Sequence, residues 1–293
     1  MPDIIRIQSP KLAIELVKPG SPVYCRTRFD WTGFVSRITF DQKHEFAVPR
    51  QVIPERSTTS GIGLNNEFTN PGVVEATPEG ETFPKFGVGI LTKDKPGSWD
   101  FTHDYPCDPF LLTMEAGEDF VSYRLGAKSS QGMAAVQEKL VKVTDNTIEI
   151  ETNFINVGDK EISVMEYNHN FVAINNRPVG PEYALYVKGF ESIRDLPNIA
   201  PLRPGDGYFT WEGLPEGPFF AMIDQVVEPK PEYVWRLEHA LEPVGLMESV
   251  DVPIHCMVLW GEKHVISNEV YVLVDVKPGQ SMTWKRTWTF YYR

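Results

Sequence analysis

The stretch TIEIETNFINVGDKEISVMEYNHNFVAI, residues 147 to 174, holds two runs of alternating apolar and polar side chains with a turn between them. In the first run Ile148, Ile150 and Phe154 share one face, which is the period of a β-strand with one buried side. The segment NVGDK, residues 156 to 160, supplies the Asn, Gly and Asp residues that reverse a chain. The second run leads to His169. We therefore predict a pair of antiparallel strands here.

The same period recurs along the chain, most clearly at its end, where apolar and polar residues alternate from Met282 to Tyr292. Turn-forming segments separate the runs, no stretch of a dozen residues has a helical period, and 24 prolines would interrupt most helices. The fold class predicted is all-β with antiparallel strands, as a single domain spanning residues 1 to 293. Strands are expected in SRITF (36 to 40), DFVSYRLG (119 to 126), KLVKVTD (139 to 145), TIEIETNFINV (147 to 157), PIHCMVLW (253 to 260), VYVLVDV (270 to 276) and the run after residue 281.

Two long segments are less regular, residues 50 to 118 and 194 to 232. Long loops of β proteins often lie at sheet ends or across a sheet face, where ligands bind. These segments are therefore candidate walls of a pocket.

The composition excludes several classes of protein. A formal net charge of −12 argues against nucleic acid or an anionic membrane as a partner. The three widely spaced cysteines indicate neither a disulfide framework nor a zinc site. No secretory signal and no apolar run of ~18 residues is visible, so we expect a soluble, cytoplasmic protein.

His169 is the first candidate for chemistry, because an imidazole titrates near neutral pH and can give or accept a proton on a ligand. Asn168 and Asn170 flank it and could line a polar cleft, since amides are costly to bury without partners. A well-packed core histidine remains an equal alternative.

Glu269 is the second candidate, at the start of an apolar strand. Acid and base catalysis on a sugar needs two groups of different proton affinity that face one ligand, and His169 and Glu269 could form such a pair. An exposed glutamate at a strand entry is the alternative.

A third group stands in TSGIGLNNEF (59 to 68) and ETFPKFGVGIL (81 to 91), where Asn65, Asn66, Glu67 and Lys85 offer hydrogen-bonding groups for a substrate. The glycines of these segments do not form a phosphate-binding loop. His103 with Asp104 and Asp108 is a weak metal candidate on a loop that favours solvated aspartates, and we expect no metal site.

The order of these segments resembles the galactose mutarotase-like (aldose 1-epimerase) superfamily over most of the chain. Members carry a strand pattern "l.i...l.N.G...i......H.yF", which Asn156, Gly158, His169 and Phe171 match, and a closing "PG.......y.F" strand that begins here at Pro278. The resemblance implies one large antiparallel β-sandwich with a sugar in a cleft on its concave face.

The resemblance also implies a mechanism. The histidine protonates the ring oxygen, a role that falls to His169, while a glutamate upstream of the PG pair deprotonates the anomeric hydroxyl, with Glu269 the best match and Glu262 the second choice. Both events are proton transfers, so no cofactor is expected.

The chain departs from the family pattern at the substrate contacts. The second family histidine, of an "HG...GF" segment, is replaced by Pro84 and Lys85, and the family arginine near "NR" is replaced around Asn65 and Asn66. Lys85 could meet an acidic or phosphorylated sugar, or pair with Glu67 or Glu81.

The function predicted is therefore that of an aldose 1-epimerase-like isomerase, a monomer or homodimer whose partner is a small-molecule carbohydrate. Two alternatives stay open: a sugar-binding protein without catalysis, and a hydrolase or lyase acting on a larger saccharide.

Overall fold

The structure is a computed structural model that describes residues 3–52, 58–69, 71–194, 202–205, 207–228 and 230–293. Parts of both irregular segments, residues 53–57, 70, 195–201, 206 and 229, lie outside the described residues. Nearly all of the regular secondary structure in the described chain is strand, which confirms the predicted all-β, antiparallel class.

Two large antiparallel sheets and one small sheet make up the described fold. The first sheet contains, in spatial order, β1 (Ile4–Gln8), β2 (Leu12–Val17), β3 (Val35–Phe40), β5 (Gly63–Thr69), β13 (Ile162–Phe171), β22 (Val265–Val276), β21 (Cys256–Glu262), β18 (Phe219–Gln225) and β15 (Phe190–Arg194), with β4 (His44–Glu45) paired to β3. The second contains β16 (Leu202–Pro204), β17 (Tyr208–Trp211), β14 (Tyr183–Val187), β19 (Trp235–His239), β20 (Val244–Val250), β23 (Ser281–Tyr292), β12 (Thr147–Asn156), β11 (Ala135–Thr144), β10 (Phe120–Leu125) and β9 (Leu112–Ala116). The small sheet contains β6 (Thr82–Lys85), β7 (Gly89–Thr92) and β8 (Cys107–Pro109).

Helix is scarce in the described ranges. An α-helix runs over Pro71–Ala76 and begins at a proline, whose fixed φ and missing N–H suit the first helical position. A 3₁₀ turn follows β13 at Ile174–Asn176. Within the described part of the chain, no helix is long and apolar enough to cross a membrane.

The strands expected from alternation are present, with small shifts of their ends. The strand expected at residues 253 to 260 begins instead at Cys256 and ends at Glu262. The irregular segment 50–118 contains β5 to β9 and the helix, so it carries more regular structure than its composition suggested.

The two large sheets pack face to face over a shared core. The largest cluster of buried side chains contains Leu64 and Val272 of the first sheet together with Ile150 and Trp288 of the second. We call the face of the first sheet that packs on the second its inner face, and the opposite face its outer face.

Strand β13 departs from simple alternation because both of its faces are covered. Its last residues, from Glu166 to Phe171, are all buried. Glu166 forms an ion pair with Arg286 of β23, which assigns it to the inner face. Tyr167 and His169 therefore lie on the outer face, where Arg28 and Lys85 cover the sheet.

Candidate functional site

Three adjacent strands, β5, β13 and β22, bring the central groups of the site together. Between β5 and β13, Glu67 pairs in register with Tyr167. Between β13 and β22, Tyr167 pairs with Tyr271, and this register places His169 opposite Glu269. The pairing expected from the sequence between these two residues is thus a direct neighbour relation in the sheet.

His169 lies between two carboxylates. Its Nδ1 is 2.7 Å from Oε1 of Glu269, and its Nε2 is 2.9 Å from Oε2 of Glu67. The side chains of Glu67, His169 and Glu269, here called the site triad, are 1%, 3% and 8% exposed. Both ring nitrogens can donate at once only when the imidazole is protonated, since carboxylate oxygens accept.

Glu67 collects further donors. Its Oε2 accepts from Nε of Arg28 at 3.0 Å and from the hydroxyl of Tyr167 at 2.9 Å, and its Oε1 accepts from Nζ of Lys85 at 3.1 Å. Burial alone would raise the pKa of Glu67, but the charges of Lys85 and Arg28 and the contact with His169 together lower it well below 4.5. Glu67 is therefore an ionised, fixed acceptor.

Aromatic rings hold the imidazole in place. Phe171 stacks on His169 at 5.4 Å between ring centroids, and Phe29 packs edge-on at 5.1 Å. Tyr167, at 4.7 Å from His169, stacks in turn on Tyr271. Packed on these sides, the ring keeps one orientation relative to both carboxylates.

The more accessible side of the site lies near Glu269. Ser267 donates its hydroxyl to Oε1 of Glu269 at 3.1 Å. Half-buried Trp260 packs against Phe171, and the guanidinium of Arg50 lies 4.9 Å above the Trp260 ring. Burial, with a smaller effect from Glu269, raises the pKa of Tyr271, so its hydroxyl keeps its proton near neutral pH.

Of the groups expected to bind substrate, Glu67 and Lys85 lie in the site and Asn65 borders it. Lys85 pairs with Glu67, which is the structural alternative raised for it above, and its ammonium lies 4.5 Å above the ring of Trp99. Asn65 is opposite His169 in register, but its side-chain amide bonds both the N–H and the carbonyl of Ile62. Its hydrogen-bonding capacity is used in the turn before β5.

The other three amides, Asn66, Asn168 and Asn170, lie on the inner face, which corrects the expectation that they line the cleft. Oδ1 of Asn66 accepts from Nζ of Lys139 at 3.1 Å, and Oδ1 of Asn170 accepts from Nε1 of Trp288 at 2.9 Å. Asn168 donates to Asn170 at 3.1 Å. Successive side chains of a strand point to opposite faces, so these amides point away from His169.

Arg28, Tyr167 and Arg50 were not among the candidates from the sequence. Period-two alternation could have identified Tyr167, which lies two residues before His169 on the same face. Arg28 and Arg50 carry no comparable signal, because both come from loops whose tertiary placement their local sequence does not fix.

The remaining candidates lie elsewhere. Glu262, the second choice for the base, has a side chain that is 32% exposed and approaches His264 rather than His169. His103 bonds Asp94 at 2.8 Å on an exposed loop. Among the described residues, no group of three or more His, Cys, Asp and Glu side chains is arranged so that it could hold a metal ion.

Comparison with known proteins gives the same architecture. No protein-family model matches the chain, and no curated protein matches it. Several solved structures do match over nearly the whole of both chains. A galactose mutarotase-like protein from Lactobacillus casei ATCC 334 superposes with a TM-score of 0.60 at 12% identity, over 98% of this chain and 100% of that one.

The fold is that of the galactose mutarotase-like β-sandwiches. A galactose mutarotase-like protein from Clostridium acetobutylicum gives a TM-score of 0.61 at 10% identity, with 99% of this chain and 95% of that chain covered. The GalM/aldose epimerase homologue from C. elegans gives 0.58 at 13% identity, with 99% and 98% covered. At such low identity the likeness establishes the mutarotase-like fold, as the resemblance implied, and the chemistry has to be argued from the site.

Proposed function

We propose that this protein is an aldose 1-epimerase-like isomerase in which Glu269 is the base and His169 the acid. The observation that carries the proposal is the 2.7 Å contact between His169 and Glu269, the more exposed carboxylate of the site triad. Two groups that exchange protons with opposite ends of a hemiacetal are what anomer interconversion needs.

The reaction begins when the sugar replaces the direct contact between His169 and Glu269. The anomeric hydroxyl then bonds Glu269, and Nδ1–H of His169 bonds the ring oxygen. Glu269 accepts the hydroxyl proton as the C1–O1 bond becomes a carbonyl, the bond from C1 to the ring oxygen breaks, and the ring oxygen takes the proton from Nδ1. The open-chain aldehyde rotates about its C1–C2 bond, and the reverse transfers close the other anomer and restore both residues.

Glu67 acts as a positioning residue in this scheme. It bonds Nε2 of His169, so the ring keeps its Nε2 proton and uses Nδ1 for transfer. Glu67 is a poor base itself, because four donors occupy it and its side chain is 1% exposed. The contact that opens for a ligand is therefore the one to Glu269.

NMR exchange spectroscopy of α and β anomers tests the proposal on a panel of neutral, acidic and phosphorylated aldoses. We expect acceleration of at least one sugar, and a loss of about 10²- to 10⁴-fold in His169→Asn and Glu269→Gln, the range of a single acid or base. His239→Asn is the matched control, since His239 is equally buried but lies in the second sheet. Full activity in either site variant would refute the assignment.

Sugar binding without catalysis is the second candidate, and one observation favours it. Both nitrogens of His169 already have carboxylate partners, so a ligand has to displace one of them before the ring can act on it. Calorimetric binding of a sugar whose anomers do not exchange faster would support this candidate.

A further inference from the structure

The site triad has three cations near it, in a protein of net charge −12. Arg28, Lys85 and Arg50 approach a site that has two carboxylates, Glu67 and Glu269. Lys85 and Nε of Arg28 are both bound to Glu67. The guanidinium groups of Arg28 and Arg50 have further donors that these contacts do not use.

Arg28 has an unused donor. Arg28 is 9% exposed, and its Nη1 atom is buried without a hydrogen-bond partner among the described residues. The guanidinium lies between the rings of Phe29 and Phe101, at 4.9 and 4.5 Å, and the Phe101 ring is itself exposed. A buried donor on a charged group is costly to leave unpaired, so a ligand atom that accepted from Nη1 would remove that cost.

Within the part of the chain that the structure describes, Arg50 has no anionic partner. Its guanidinium stacks on Trp260 and forms no hydrogen bond or ion pair with any residue in the described ranges. The side chain of Glu262, which is 32% exposed, lies near Arg50 but forms no ion pair with it. Burial, and next the charge of Arg28, lowers the pKa of Arg50, which agrees with two guanidinium groups on the same side of the site.

We infer that the ligand of this site is an anionic aldose, whose carboxylate or phosphate binds Arg50 and Nη1 of Arg28 while its anomeric end faces His169 and Glu269. A planar guanidinium matches both anions through paired hydrogen bonds. This inference rests on the proposed function, and it names Arg50 as a residue that determines specificity.

The test uses three probes that differ in charge at one end: D-glucose, D-glucuronate and D-glucose 6-phosphate. Anomer exchange and calorimetric binding are measured for each on the wild type, Arg50→Gln and Arg50→Lys. We expect kcat/KM for one of the anions to exceed that for glucose by about tenfold or more, the size of one charge-assisted hydrogen bond. Which anion is preferred distinguishes the carboxylate from the phosphate.

The Arg50 variants test whether this side chain causes the preference for an anionic sugar. Arg50→Gln should lower the anion-to-glucose ratio of kcat/KM by about tenfold, and Arg50→Lys, which keeps the charge and loses the planar fork, by less. Arg236→Gln is the control, because the guanidinium of Arg236 also stacks on an aromatic ring, that of Tyr186, but lies in the second sheet.

The outcomes separate this inference from the proposed function. Exchange of glucose as fast as that of both anions, with a ratio unchanged in Arg50→Gln, would overturn the anionic ligand and leave the epimerase proposal standing. Anions that bind through Arg50 without faster exchange would support the anionic ligand and refute the catalysis. No binding of either anion would overturn the inference.

Discussion

At the scale of single residues, Glu67 determines how the site is built. Four side chains donate to it: Arg28, Lys85, Tyr167 and His169. Two of these are cations buried almost completely, and a buried cation without a counter-charge is expensive. Glu67 therefore stabilises the fold and orients the imidazole with the same two oxygens.

Glu67→Gln should destabilise the protein strongly. The amide keeps the shape but leaves Arg28 and Lys85 without their counter-charge, and breaking a buried pair typically costs about 3 to 5 kcal/mol. Chemical denaturation at pH 7 measures the free energy of unfolding. Glu149→Gln, which removes a half-buried surface pair with Lys285, is the control and should cost less than about 1 kcal/mol. Equal losses in the two variants would contradict this account of Glu67.

The pH dependence of unfolding should report the same carboxylate. Its pKa is lowered in the folded state, so its contribution is complete above the unfolded value near 4.5 and is lost as the pH falls through the folded value. The stability difference between wild type and Glu67→Gln should hence narrow as the pH is lowered below 4.5, in denaturation series at successive pH values. If this stability difference stayed constant as the pH is lowered, over the range in which the protein still folds, a lowered pKa of Glu67 would be excluded.

At the scale of strands, predictability from the sequence depends on how many faces are covered. Strand β12 buries one face and alternates, so its sequence identifies it. The end of β13 is buried on both faces, and its polar run, Glu166 to Asn170, does not show which side chains meet the other sheet. Alternation could place His169 and Glu269 on strands, whereas assigning Asn168 and Asn170 to the inner face required the partners that only tertiary structure supplies.

Strand β23 places an arginine in an otherwise apolar stripe. Arg286 lies between Trp284 and Trp288 and pairs with Glu166 of β13 at 2.6 Å and with Glu248 of β20 at 2.8 Å. All three charged groups are at most 2% exposed. The ion pair to Glu166 links the two large sheets through side chains.

Arg286→Met should therefore destabilise the protein by about 3 kcal/mol or more, because two buried carboxylates lose their cation. Lys285→Met, one residue earlier on the same strand, removes a half-buried surface pair with Glu149 and should cost less than about 1 kcal/mol. Adding Glu166→Gln and Glu248→Gln to Arg286→Met should restore part of the loss in urea denaturation. A triple variant less stable than the single one would show that the charges are not the cause.

At the scale of the whole molecule, the site depends on long-range assembly. Arg28 and Glu67 are 39 residues apart in sequence, and Glu67 and His169 are 102 apart. Strand patterns predict that sheets form, but the order of strands in each sheet decides which polar groups become neighbours. The fold class could thus be read from the sequence, while the gathering of Arg28, Lys85 and His169 around Glu67 could not.

The shared core predicts that the two sheets unfold together, as expected for the single domain predicted from the sequence. Four of the seven tryptophans, Trp211, Trp235, Trp284 and Trp288, are buried in strands of the second sheet, so fluorescence reports mainly on that sheet. Hydrogen exchange of β13 and β22 amides reports on the first. Because side chains of both sheets interlock in one cluster, both probes should give the same denaturation midpoint, and Arg286→Met should shift both equally. Separate midpoints would divide the chain into two units, with the site triad entirely in the first sheet and able to survive the loss of the second.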